Sequence, residues 1–163
     1  MKLGIISDTH DRVPTFQQAL SLFREQGVEA ILHAGDFVAP FAAKLLKPDN
    51  APAPVYAIFG NNDGEREGLA KTLPQLQDGP LRVELGGRTI VMHHYLDWLS
   101  ETDVEGAEVV ISGHDHTVNV EHRAGRLYLN PGECCGWVVG RCSVAILETD
   151  GPSAEIVDIE PGG

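Results

Sequence analysis

The chain has 163 residues, of which 42% are hydrophobic and 22% charged, a balance typical of a soluble globular domain of ordinary size. Its formal net charge is −12, which argues against a basic face for duplex nucleic acid and against binding to anionic membranes. The three cysteines, two of them adjacent, do not suggest a disulfide framework. We therefore expect a single domain over residues 1–163 that resides in the reducing cytoplasm without membrane contact.

The first 72 residues alternate between predicted strands and predicted helices. Short apolar runs predict strands over residues 2–6, 29–33 and 54–59, and helical spacing of apolar residues predicts helices over residues 14–27, 40–46 and 65–72. Pro14 suits the first turn of the first of these helices.

The sequence beyond residue 80 has the pattern of antiparallel strands joined by short turns. The pairs Gly86-Gly87, Ala124-Gly125 and Asp150-Gly151 each separate two strand-like runs, which predicts three hairpins. The runs cover residues 81–85 and 88–92, 118–122 and 126–130, and 141–148 and 153–159. A further buried strand is predicted over residues 107–111, and residues 97–106 are predicted to be helical or irregular. Together the two halves predict a layered α/β domain with two sheets.

Potential metal ligands follow five of the predicted strands. They are Asp8 and His10, Asp36, Asn61 and Asp63, His93 and His94, and His114 and His116. Because strands of an open α/β sheet end along one edge, we expect these segments to converge there. Carboxylate, amide and imidazole groups suit Mn, Fe, Zn, Co or Ni. Seven such ligands with one shared carboxylate suffice for two ions, an arrangement suited to phosphoryl displacement.

Each fragment taken alone has a simpler interpretation. An Asp-x-His or Gly-Asp sequence after a strand is usually an ordinary turn, and Gly60-Asn61-Asn62-Asp63 is a good turn tetrad. The pair His114 and His116 is the most specific fragment, because alternating histidines rarely serve a loop. Five such fragments in one chain, each after an apolar run, favour a common site.

The order of these motifs resembles that of the calcineurin-like metallophosphoesterase superfamily, and in particular its small bacterial and archaeal phosphodiesterase branch. The motifs are Asp8-Thr9-His10, Gly35-Asp36, Gly60-Asn61-Asn62-Asp63, His94 and Gly113-His114-Asp115-His116, followed by Asn130-Pro131-Gly132. The resemblance implies a four-layer αββα sandwich of two mixed β-sheets flanked by helices. It also implies a phosphodiesterase in which a hydroxide that bridges two divalent metal ions attacks phosphorus in line. Mn²⁺ is the expected ion, with Fe, Ni, Co or Zn as alternatives.

The resemblance also implies a role for each ligand. The first ion is assigned to Asp8, His10 and His116, the second to Asn61, His94 and His114, and the bridge between them to Asp36. Asp63 is interpreted as a carboxylate that orients a ligand. Arg12 and Arg66 follow ligand motifs, and they either clamp phosphate or lie on the surface.

Three positions depart from the family pattern. Asn62 stands where many members carry a histidine that protonates the leaving group, which predicts a preference for good leaving groups such as aryl alcohols. His93 precedes the ligand His94, and it either packs beside the site or partly replaces the missing acid. Glu133 stands where a small residue is usual, and we interpret residues 133–136 as an inert loop rather than as part of the site rim.

Other functions remain open at this stage. The same two-metal site would also suit a phosphomonoesterase. A scaffold that binds protein partners, as one trafficking relative of the family does, is disfavoured because all seven ligand positions are filled. A metal sensor is a further alternative. We expect a small phosphodiester substrate, and Trp98 or Trp137 could form the contact of a homo-oligomer.

Overall fold

Two five-stranded sheets lie face to face in the computed structural model, which describes residues 1–160. The strands are β1 (Lys2–Ile6), β2 (Ala30–His33), β3 (Val55–Ala57), β4 (Leu81–Leu85), β5 (Arg88–Met92), β6 (Val109–Ile111), β7 (Asn119–Arg123), β8 (Arg126–Asn130), β9 (Ser143–Glu148) and β10 (Ser153–Asp158). The first sheet has the order β10-β9-β1-β2-β3 and the second has the order β4-β5-β6-β8-β7. The first sheet is antiparallel from β10 to β1 and parallel from β1 to β3. The second has parallel pairs in its middle and an antiparallel pair at each edge, so the prediction of two mixed sheets is confirmed.

The helices are α1 (Val13–Glu25), α2 (Pro40–Ala43) and α3 (Arg66–Thr72), with 3₁₀ turns at Lys44–Leu46 and Leu96–Trp98. The helix predicted over 40–46 therefore tightens into a 3₁₀ turn halfway along. The strand predicted over 54–59 is reduced to β3, and Ile58, just beyond it, forms an isolated bridge with Gln77. No helix within residues 1–160 is both long and apolar enough to cross a bilayer.

The side chains of β1 pack on both faces of the first sheet. Leu3 and Ile5 point into the core between the two sheets, while Ile6 points to the opposite face, against Phe16 and Phe23 of α1. Burial on both faces accounts for the continuous apolar run of this strand.

The outer face of the second sheet is covered without a long helix. Val91, Val110 and Tyr128 pack there against Val104 and Ala107, which belong to the segment of turns after the 3₁₀ turn Leu96–Trp98. Residues 97–106 thus take the irregular form of the two predicted alternatives. The four layers are helices, two sheets and this segment, and the loops that leave the carboxyl ends of β1, β2, β3, β5 and β6 carry the candidate site.

Candidate metal centre

Asp8, directly after β1, forms one half of the centre. Its Oδ2 accepts hydrogen bonds from Ser7 Oγ at 2.6 Å and from the N–H of His114 at 3.1 Å. Its Oδ1 lies 3.3 Å from His116 Nε2 and 3.6 Å from His10 Nε2. The carboxylate is fully buried, so one oxygen is anchored while the other faces two imidazoles.

Asp36, in the loop after β2, joins this half to the other. Its Oδ2 lies 3.5 Å from His10 Nε2 and 3.4 Å from His94 Nε2. The backbone N–H and the side-chain amide of Asn62 each donate to Asp36 at 2.8 Å. Asn61 Oδ1 completes the second half, because it lies 3.0 Å from both His94 Nε2 and His114 Nδ1. The structure therefore brings all seven predicted ligands together.

The hydrogen bonds at the rear of two histidines fix which nitrogen faces the centre with a lone pair. His94 Nδ1 lies 2.7 Å from the carbonyl oxygen of Ala34, and His116 Nδ1 lies 2.6 Å from Glu133 Oε2. Since a carbonyl or carboxylate oxygen can only accept, each Nδ1 is the donor. In the neutral form of each ring, Nε2 is then the nitrogen whose lone pair is available to a metal ion, and it lies beside a buried carboxylate.

Two buried atoms at the centre have no hydrogen-bond partner, namely Asp8 Oδ1 and His10 Nε2. Unpaired buried polar atoms are costly unless an ion satisfies them. Ligand atoms of Asp8, Asp36 and His94 lie within 4.8 Å of one another. Buried oxygen and imidazole acceptors that converge in this way fit divalent transition metal ions.

The carboxylates and imidazoles at the centre shift one another's pKa values so that the charged form of each is favoured. Burial opposes ionisation of Asp36, yet hydrogen bonds from His94 and Asn62 outweigh it and hold the Asp36 pKa well below its usual range. Burial likewise disfavours protonation of His94, but its contact with Asp36 leaves the His94 pKa raised. The pKa of His10 is raised for the same reason, by Asp8 and Asp36. The buried carboxylates therefore attract positive charge.

Backbone strain is concentrated in the same loops. Asp8, His10, Asp36, His114 and His116 have φ values of 52°, 38°, 64°, 71° and 61°, the left-handed region that L-residues usually avoid. Strain of this kind persists where the surrounding structure over-determines a functional geometry. Five of the seven candidate ligands thus have a backbone conformation that L-residues usually avoid.

Asp63 acts on the loop around Asp36 rather than on the centre itself. Its Oδ2 accepts the N–H groups of Asp36 and Gly60 at 3.0 and 2.7 Å, and its Oδ1 accepts those of Phe37 and Val38 at 2.7 and 2.8 Å. Both oxygens are thereby engaged by backbone, as expected of a carboxylate that orients a neighbouring ligand.

Glu133 corrects the interpretation of residues 133–136 as an inert loop. This carboxylate is fully buried and accepts the proton of His116 Nδ1 through Oε2. Its oxygens also accept the N–H groups of Val138, Val139 and Gly140 at 2.6–3.2 Å. Burial opposes its ionisation, but these donors lower the Glu133 pKa to about 2. The only signal in the sequence was a carboxylate placed among cysteines and glycine.

The remaining candidates lie around the rim. The Nδ1 of His93 lies 3.0 Å from the backbone nitrogen and 2.8 Å from the carbonyl oxygen of Tyr95. Arg12 donates to the carbonyl of Cys135 at 2.6 Å and stacks on Trp137. Arg66 lies over Phe59 and pairs with Asp78. Neither arginine contacts the ligand cluster directly in this structure.

Comparison with known proteins agrees with the geometry. A phosphodiesterase of Methanocaldococcus jannaschii, MJ0936, is 36% identical over 158 residues, which cover 92% of this chain and 94% of the relative. The phosphodiesterase YfcE of Escherichia coli is 25% identical over 81% of this chain and 78% of its own. A solved structure described as a novel archaeal phosphodiesterase superposes with a TM-score of 0.83 at 34% identity, over 97% of this chain and 99% of that one.

The family model of the calcineurin-like phosphoesterase superfamily domain matches residues 1–151. With that match and with relatives named as phosphodiesterases across nearly the whole length, the chain belongs to the calcineurin-like phosphoesterase superfamily of phosphoester hydrolases.

Proposed function

We propose that this protein is a metal-dependent phosphodiesterase with two divalent ions, Mn²⁺ being the expected metal, and with a small phosphodiester as its substrate. The observation that carries the proposal is the convergence of buried ligand atoms at the centre. The Nε2 atoms of His94 and His116, whose Nδ1 atoms are engaged by Ala34 and Glu133, face the buried carboxylates of Asp36 and Asp8, and Asp8 Oδ1 has no hydrogen-bond partner. Family membership supports the same reaction class.

The ligands divide between two ions around one shared carboxylate. Asp8, His10 and His116 would hold one ion, and Asn61, His94 and His114 would hold the other, with Asp36 common to both. When bound, such a pair supplies a nucleophile at neutral pH by lowering the pKa of water, and it neutralises phosphate oxygens. The two carboxylates offset only part of the added charge, so an anionic diester can bind a protein of net charge −12.

Other groups of the chain fix the orientation of the ligands by hydrogen bonds. Glu133 and the Ala34 carbonyl keep the protons of His116 and His94 at the rear of each ring. Asn62 donates two hydrogen bonds to Asp36, and Asp63 accepts the backbone N–H of Asp36 and so orders the loop that carries it. Such preorganisation removes the need for the site to rearrange during the displacement.

The decisive experiment is metal reconstitution. Protein stripped with chelator should hydrolyse bis-p-nitrophenyl phosphate only after Mn²⁺, Co²⁺, Ni²⁺, Fe²⁺ or Zn²⁺ is returned, and titration calorimetry should give two ions per chain. Asp36→Asn, which weakens the shared ligand, should lose both activity and the second ion. Protein that binds ions without any turnover above background would instead support a sensor or a protein-binding scaffold.

A phosphomonoesterase is the second candidate, because the same ligands can serve a monoester. Turnover of bis-p-nitrophenyl phosphate and of p-nitrophenyl phosphate by one metal-loaded preparation separates the two. We expect kcat/KM to favour the diester. A preference for the monoester would overturn the diesterase assignment and leave the metal centre in place.

A further inference from the structure

A groove of about 420 Å³ opens beside the Asn61 and His94 side of the metal centre, since both residues line it. We call it the aromatic groove and define it by Phe59, Arg66, Asp78, His93, Tyr95 and Trp98. The ligand assignments use none of these six residues. Because the groove begins at two candidate ligands, a substituent on a phosphate held at the centre would extend directly into it.

Two aromatic rings of the groove lie against each other beside the metal centre. The ring of Tyr95 lies 4.2 Å from that of His114 and stacks on Trp98, with 4.4 Å between centroids and 16° between planes. Trp98 is nonetheless 70% exposed. A large exposed indole beside the candidate metal centre offers apolar surface on which a planar ligand can stack.

The groove also contains a second flat surface with polar edges. The guanidinium of Arg66 lies 3.8 Å over the ring of Phe59 and is held by Asp78 at 2.6 Å. His93 and Asp78 add a ring nitrogen and a carboxylate at the margin of the same groove. Flat faces bordered by donors and acceptors match a heterocyclic base better than an acyl chain, which has no polar edge.

We infer that the aromatic groove binds the nucleoside arm of a phosphodiester whose phosphate occupies the metal centre. The inference rests on the proposed phosphodiesterase function and names its substrate class. The volume falls within the range of pockets that enclose small organic ligands, and it leaves space beyond a single phenyl ring for a sugar and a base. Trp98 supplies the principal stacking face, and Tyr95 joins that face to the metal centre.

The test compares three phosphates that differ only in the attached group. Methyl phosphate, phenyl phosphate and adenosine 5′-monophosphate are titrated by calorimetry into the Mn²⁺-loaded protein. Adenosine 5′-monophosphate should bind at least tenfold more tightly than either of the others. In Trp98→Ala this advantage should fall by about 10–100-fold, the usual effect of removing one base-stacking ring, while the affinity for methyl phosphate stays unchanged.

Phe41→Ala is the matched control, because Phe41 is also exposed, at 56%, but lies on α2 and outside the groove. It should keep the full preference, and melting curves should show both variants folded. Equal affinities for the three phosphates, or a preference that survives in Trp98→Ala, would overturn the inference. Phenyl phosphate binding as tightly as the nucleotide would overturn the nucleoside assignment. Absence of phosphoester turnover in the metal-loaded wild-type protein would instead count against the proposed function.

Discussion

At the scale of single residues, the placement of protons decides whether the site can take up a cation. Glu133 is the clearest case, because it holds the His116 proton at Nδ1 and so leaves Nε2 free to face Asp8. Carboxylates behind a metal-binding histidine fix its tautomer and raise its basicity.

We expect Glu133→Gln to lower the affinity for Mn²⁺ by about 10–100-fold. The amide would still accept from His116, but its NH₂ would be set against the N–H groups of Val139 and Gly140. Calorimetric titration of metal-stripped protein measures the change, and Glu121→Gln, on the exposed part of β7, is the control. Unchanged affinity together with a lower Tm would show that Glu133 only holds residues 138–140.

The departure at Asn62 leads to a second residue-scale prediction. Its amide donates to Asp36 and has no acidic proton for a leaving group, so reactivity should depend on the leaving group itself. Across aryl methyl phosphates, kcat/KM should fall steeply as the pKa of the phenol rises. If His93 donates a proton to the leaving group, His93→Ala should lower kcat/KM for poor leaving groups by a further factor on the order of 10².

A flat dependence on leaving-group pKa would contradict the first of these expectations. Full activity of His93→Ala on the poorest leaving groups would contradict the second, and His93 would then be a residue that packs beside the site.

His33 makes stability depend on pH. Complete burial lowers the His33 pKa to about 3, while its Nδ1 accepts the N–H of Gly35 and its ring stacks on Phe37. The unfolded chain therefore binds a proton below about pH 6.5 that the folded chain does not bind. This contribution to stability is complete above that pH and decreases as the pH falls towards 3.

His33→Asn retains an acceptor for Gly35 and cannot titrate. Between pH 6 and pH 4, in chelator, the free energy of unfolding of the wild type should fall by up to about 1.4 kcal/mol per pH unit more than that of the variant. Urea unfolding at several pH values measures both slopes. Parallel slopes would mean that His33 is protonated in the fold or accessible to solvent.

At the scale of elements, the contact between α1 and β1 depends on a residue without a side chain. An added Cβ at Gly4 would lie 2.8 Å from the ring of Phe23, which is fully buried in the core. The helix can therefore approach the strand only because this position is glycine, and α1 follows directly after the loop that carries Asp8 and His10.

We expect Gly4→Ala to destabilise the protein by about 1–3 kcal/mol, the usual effect of overpacking a core. Gly64→Ala is the control, since no atom lies within 4 Å of a Cβ at that position, and it should change stability little. Adding Phe23→Leu to Gly4→Ala should recover part of the loss in urea unfolding. A neutral Gly4→Ala would show that α1 shifts without penalty.

At the scale of the whole molecule, a net charge of −12 and the buried carboxylates of Asp8 and Asp36 at the centre should make metal binding a large part of stability. A metal present at a hundred times its Kd adds about 2.7 kcal/mol, or about 5–11 °C in Tm for a chain of this size. Thermal melts in chelator and in excess Mn²⁺ measure the shift. Asp36→Asn should lose most of it, and an equal shift in that variant would place the stabilising ion elsewhere.

Local patterns in the sequence were sufficient for much of the fold. The apolar run of β1, the turn at Gly86-Gly87 and the spacing on α1 are set by neighbours a few residues apart, and the corresponding elements lie where they were predicted. The order of the ligand motifs was equally local, because each motif follows the end of a strand. These features predicted the fold class and the family.

Only the tertiary structure decided which residues far apart in the sequence form hydrogen bonds or pack against one another. It paired β9, near the end of the chain, with β1, turned Glu133 inward to His116, and joined Tyr95 and Trp98 into one surface beside Asn61. Such contacts depend on how separate elements pack, whereas periodicity reports only the residues within one element. For this reason the sequence by itself predicted the candidate ligands, and the folded chain determined what orients them and what lies beside them.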